Sequence, residues 1–80
     1  MYSAPNPERF RDWLREHNLT GAAAAAIVGA DSRTVRRWTA PREQAGARSI
    51  PWAAWMLLRL HVGEISVEDF RSEVAQAERA

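Results

Sequence analysis

Residues 19–38 read LTGAAAAAIVGADSRTVRRW, and the fold turns on how this stretch divides. Thr20 suits an N-cap, and the GAAAAAIV that follows is dominated by alanine, the strongest helix former. A helix of alanines is thin, so its neighbours can approach closely. Gly29 stands where such a helix closes in a left-handed turn. Asp31 is a second N-cap, its carboxylate at the positive end of the next helix dipole. In DSRTVRRW, Val35 and Trp38 lie three residues apart and share a face, while Arg33, Arg36 and Arg37 point elsewhere, toward solvent. Thr39-Ala40-Pro41 ends this helix, because the residue before a proline avoids helical geometry. The stretch is therefore two short helices around a tight glycine turn, the second loaded with arginine.

The flanking sequence extends the helical reading. Upstream, Asn6-Pro7-Glu8 gives an N-cap, a first-turn proline and an acid suited to the dipole. Phe10, Trp13, Leu14 and His17 follow i, i+3, i+4, i+7 spacing, a stripe with His17 at its boundary, and Asn18 is a plausible stop. Residues 39–48, TAPREQAGAR, form a loop that is long for so small a domain. A fourth helix starts near Ser49-Ile50-Pro51 and runs WAAWMLLRLHV to Gly63. Trp52, Trp55, Met56 and Leu60 make one of its faces; Ile50, Ala54, Leu57, Leu58 and His61 make another. A helix apolar on all sides is expected to be buried on all sides. The fifth helix begins at Ser66, where SVED is a capping box with aspartate in the glutamate place. Val67, Phe70, Val74 and Ala77 fall on one side of it. No segment reads as a strand, so the expected class is all-α, a small five-helix domain.

Composition narrows the function. Eighty residues suit a single domain over 1–80. The absence of cysteine removes disulfides and thiolate metal sites, and His17 and His61 lack ligand-like neighbours, so no metal or cofactor is expected. The apolar runs AAAAAIV and IPWAAWMLL are far shorter than the ~20 residues a membrane span needs. The N-terminal MYSAPNPERF lacks the apolar core of a signal peptide, so a cytoplasmic location is the default. No serine, histidine and acid are placed together and no glycine-rich phosphate loop appears, which argues against an enzyme and a small-molecule substrate. The formal net charge of +1 hides an asymmetry. Residues 33–48 hold Arg33, Arg36, Arg37, Arg42 and Arg48 against Glu43, a net +4, whereas residues 61–80 carry a net −3. A basic middle and an acidic end can form two faces with different partners.

Two helices joined by a short glycine-containing turn are the logic of a helix-turn-helix, whose second helix enters the DNA major groove. The span 20–38 meets its needs: small Ala25 under the helix crossing, Gly29 at the turn, small Ala30 after it, and Val35 and Trp38 as inward anchors. This segment resembles the helix-turn-helix of lambda-repressor-like (Xre-type) transcription regulators. More of the chain is similar to the small dimeric anti-CRISPR-associated regulators of phages and mobile elements. That likeness rests on the proline-bearing N-terminus before helix 1, the arginine early in helix 3, and the loop leading to the proline-aromatic helix RSIPWAAWMLLRL. It implies a repressor that binds inverted repeats in the promoter of its own operon. One departure stands out: Gly21 to Ala26 offers backbone amides where such a family would place basic residues.

The motif assigns roles. Ser32, Arg33, Arg36 and Arg37 are the expected base readers, since arginine matches guanine O6 and N7 with paired donors. Thr20, Thr34, Arg42 and Arg48 are the expected phosphate contacts, fixing register. A single recognition helix contacts too few base pairs, so a homodimer on an inverted repeat of double-stranded DNA is expected, with dimerisation helices at about 50–79 and an interface of Trp52, Trp55, Leu57 and Leu58. The competing reading is a protein-interaction module, such as an antitoxin or a small phage inhibitor of a host protein, with helix 4 as the working face.

Overall fold

The computed structural model describes residues 2–79. Its elements in chain order are α1 (Pro7–Glu16), α2 (Gly21–Val28), α3 (Ser32–Thr39), α4 (Trp52–His61) and α5 (Val67–Arg79), with no strand among the described residues. The all-α, five-helix expectation is met.

Local chemistry sets each boundary. The Asn6 side chain accepts from the Arg9 N–H at 2.8 Å, and Pro7 opens α1. Asn18 takes a left-handed φ of 56° after the helix ends, and the Leu19 N–H closes onto the Leu14 carbonyl at 2.9 Å. Thr20 caps α2 through Ala23 N–H at 3.0 Å. Gly29 turns the chain with φ 72°, and the Ala30 N–H returns to the Ala25 carbonyl at 2.9 Å. Asp31 caps α3 through Thr34 N–H at 2.7 Å. Ala40, before Pro41, is extended and ends α3. Ser66 and Asp69 exchange the expected reciprocal bonds at 3.0 and 3.1 Å at the start of α5.

The 40–51 segment folds on itself through Gln44 N–H to Pro41 O and Ala47 N–H to Gln44 O, and Arg48 N–H ties it to Arg37 O of α3 at 3.1 Å. The fourth helix begins at Trp52, directly after the Ser49-Ile50-Pro51 start read from the sequence. Pro51 takes the cap position without a side-chain bond, and Ile50 drops into the core just before it.

The core joins α1 to α4. Phe10, Leu14, Ala24, Ala25, Val35, Trp38, Ile50 and Leu58 pack together with Trp13 and Ala54. Trp55 meets Phe10 edge-on at 5.9 Å and Trp13 at 5.0 Å between ring centroids, a geometry aromatic quadrupoles favour. Small Ala24 and Ala25 let α2 lie close to α3 and α4. The expectation that α4 is buried on all sides fails within the protomer: Leu57 is 43% exposed, and Ala53 and His61 face solvent. α5 contributes no buried residue and packs chiefly on α4, where Phe70 stacks on Trp52 at 6.2 Å. No helix among the described residues is long and apolar enough to cross a membrane.

Candidate nucleic-acid interface

α3 is clamped from beneath and open above. Val35 and Trp38 are buried, and Trp38 tilts against Phe10 at 6.5 Å. With about 100° of rotation per residue, Ser32, Arg36, Arg33 and Arg37 follow one another through an arc of about 140° on the side away from those anchors. All four are exposed. Arg33 stands nearly opposite the core, and Arg36 and Arg37 flank it on either side. None of the three arginines forms an ion pair among the described residues, so their donors remain available to an outside acceptor. Asp31, at the foot of the helix, is held below the usual carboxylate range by the Thr34 backbone N–H, the Thr34 hydroxyl and the nearby Arg33 and Arg37. It stays ionised at neutral pH, and its charge marks the limit of the cationic arc.

The remaining site residues are placed less uniformly. Thr20 spends its acceptor lone pair on the α2 cap, which leaves its hydroxyl proton free to donate. Thr34 is half-buried on the flank of α3, with its N–H on Asp31. Arg42 is exposed in the loop. Arg48 also lies there, but its guanidinium donates to the Ala47 carbonyl at 2.8 Å, so it folds onto its own loop.

The four residues expected at a dimer interface do not share a surface. Leu58 is fully enclosed in the protomer's own core, which corrects its assignment: no area remains for a partner to cover. Trp55 is half-buried in the aromatic cluster, and Trp52 is half-buried against Phe70. Leu57 alone of the four projects openly.

One constellation escaped the sequence reading. Glu64, just past α4, accepts from Trp13 Nε1 at 2.9 Å and from Arg59 Nε at 2.6 Å. Burial works to raise its carboxyl, but these two bonds and the Arg59 charge outweigh it and hold the group below 4.5. Trp13 and Glu64 are 51 residues apart, and no local pattern joins them.

This arrangement defines a small all-helical protein that presents a cationic short helix on a packed base. No protein-family model matches the chain, and no solved structure matches it. Among curated proteins, the transcriptional repressor protein KorC of Escherichia coli is 37% identical over 65 residues, covering 78% of this chain and 71% of the relative. At that identity and coverage, the chain belongs to the family of the KorC transcriptional repressor.

Proposed function

We propose that the protein is a sequence-specific DNA-binding transcriptional repressor, with α2, the Gly29 turn and α3 acting as a helix-turn-helix of the lambda-repressor-like type. The observation that carries this reading is the outward arc of Ser32, Arg33, Arg36 and Arg37, exposed and without ion pairs among the described residues, on a helix anchored by Val35 and Trp38. Kinship with a repressor supports it independently. Arg33, Arg36 and Ser32 read base edges, and Arg37 reads bases or grips phosphate. Thr20, Thr34 and Arg42 hold the backbone, and Arg48 joins them by leaving its Ala47 bond.

The protein acts as a homodimer on an inverted repeat, in the promoter of its own operon on a phage or other mobile element. Exposed Leu57 and the apolar edge of α5, where Val67 is 56% exposed, supply the contact, with Trp52 at its border. The decisive experiment is a mobility-shift assay on fragments of the surrounding genome. Selective retention of one fragment containing an inverted repeat, weakening steeply with salt, is the expected result. Equal retention of all fragments, or of none, would refute sequence-specific binding.

A further inference from the structure

α4 carries a side that the DNA-facing reading leaves unused. Trp52, Trp55, Met56 and Arg59 recur at i, i+3, i+4, i+7 and share one side of the helix. Two hollows open along it. One, of about 450 Å³, lies between the N-terminal segment, α4 and α5; Trp52, Trp55 and Met56 wall it, with Glu73 and Gln76 at the α5 edge. The other, of about 340 Å³, lies between the N-terminal segment, the loop after α3 and α4, and is bordered by Arg9, Arg42 and Arg59. Ser3, Trp55 and Arg59 line both hollows. They form one groove, with indole walls at one end and guanidinium groups at the other.

The charge at the cationic end is neutralised from within only at Arg59, which pairs with Glu64 at 2.6 Å. Glu64 is the acid lining that hollow, and both its oxygens are engaged, by Trp13 and by Arg59. Asp12 and Glu16 lie beyond Arg9, and Glu8 and Glu43 beyond Arg42, yet neither arginine forms an ion pair among the described residues. With Arg59 paired to Glu64, Arg9 and Arg42 keep uncompensated charge at the hollow, and an entering anion offsets it. The Arg59 guanidinium sits 5.8 Å from the Trp55 ring centre, so the charged end and the aromatic end are in direct contact.

We infer that this groove binds a small planar ligand bearing an anionic head. The ring system lies against Trp52 and Trp55, and a carboxylate or phosphate sits among Arg9, Arg42 and Arg59. Guanidinium offers paired donors that match either head, and indole faces favour flat apolar bodies. The Glu73 carboxylate accepts a hydrogen bond from a ring N–H or hydroxyl at the far end. The hollows are of the size that takes small ligands. Leu57 lies about 140° around α4 from Trp52, so the groove and a dimer contact centred on Leu57 take different sides of the helix and meet only at Trp52.

The test is a titration of the isotopically labelled full chain, followed by nuclear magnetic resonance, with 2-naphthoate, 2-naphthyl phosphate and uncharged 2-naphthol. Saturable shifts are expected at the indole N–H signals of Trp52 and Trp55, with Trp38, outside the groove, unmoved. The two anions should bind roughly tenfold more tightly than 2-naphthol, the gain of one good charge-assisted contact. Arg9→Gln and Arg42→Gln should each weaken the anions several-fold and leave 2-naphthol unchanged; both positions are exposed, so the fold should hold, as the amide spectrum will show. Equal affinity for charged and uncharged probes, or no loss in either variant, would overturn the cationic end. Shifts that do not saturate, or that move Trp38 as much as Trp55, would overturn the groove itself.

Discussion

The indole N–H of Trp13 donates to Glu64 Oε1 at 2.9 Å, joining α1 to the turn after α4. The other oxygen of Glu64 takes the Arg59 Nε, and the Glu64 N–H returns to the Arg59 carbonyl at 2.9 Å. One carboxylate thus fixes the end of α4 to the aromatic cluster. Glu64→Ala should cost about 1–2 kcal/mol, mainly by leaving the Trp13 donor without a partner. Its pH dependence follows from the direction of the shift. A carboxyl held below its ordinary 4.5 contributes stability that is complete above that value and is lost as pH falls through the folded-state pKa. Thermal melts of the wild type and the variant, taken from neutral pH downward, should therefore converge in acid. A gap that stays constant would remove Glu64 as its cause.

Arg33 stands opposite the Val35–Trp38 anchors and has no ion pair among the described residues, so removing it should leave the fold intact. If it reads a guanine, Arg33→Ala should weaken the operator by about 1–3 kcal/mol and random DNA much less. Arg42→Ala should weaken both alike and flatten the salt dependence, as loss of a phosphate contact does. Binding isotherms on both DNAs at several salt concentrations separate the two roles. Equal losses on operator and random DNA for Arg33→Ala would place it on phosphate instead.

The helix boundaries were legible in the sequence because they are written in nearest-neighbour chemistry. Asn6, Thr20, Asp31 and Ser66 each cap a helix through a bond three residues away, and Gly29 shows its need for a left-handed turn in its position alone. The outward direction of the α3 arginines was legible for the same reason, since Val35 and Trp38 fix the rotation of the helix. What stayed hidden depends on distant partners. α4 is apolar at almost every position, so periodicity could not say that Leu58 faces inward while Leu57 faces out. The meeting of Arg9, Arg42 and Arg59 requires three elements to be brought together. The turn of Arg48 onto Ala47 is a rotamer choice that no pattern encodes.

The glycines at the two ends of α2, Gly21 and the turn residue Gly29, should respond to alanine in opposite directions. Gly29 has φ 72°, and a Cβ there meets nothing within 4 Å, so the cost of Gly29→Ala is backbone strain alone, about 1–2 kcal/mol. Gly21 opens α2, and a Cβ there meets Val35 Cγ1 at 4.0 Å, ordinary contact. Gly21→Ala should stabilise by about 0.4–1 kcal/mol by restricting the unfolded chain. Chemical denaturation of both variants reads the signs directly. A stabilising Gly29→Ala would mean that the turn between α2 and α3 does not hold its left-handed form.

Leu57 and Leu58 are adjacent in the chain and opposite in consequence. Leu58 is fully buried in the protomer, so Leu58→Ala should cost about 2–5 kcal/mol, the price of a core cavity, without acting directly on association. Leu57 is 43% exposed on α4. Leu57→Glu should leave the protomer's stability within about 0.5 kcal/mol, as surface changes usually do. If this face pairs two protomers, the same change buries a charge against an apolar surface and should shift the protein from dimer to monomer. Sedimentation equilibrium at micromolar concentration, beside a melt of each variant, distinguishes the two effects. An unaltered dimer in Leu57→Glu would move the contact elsewhere, and a wild type that is monomeric throughout would remove the dimer from the proposal.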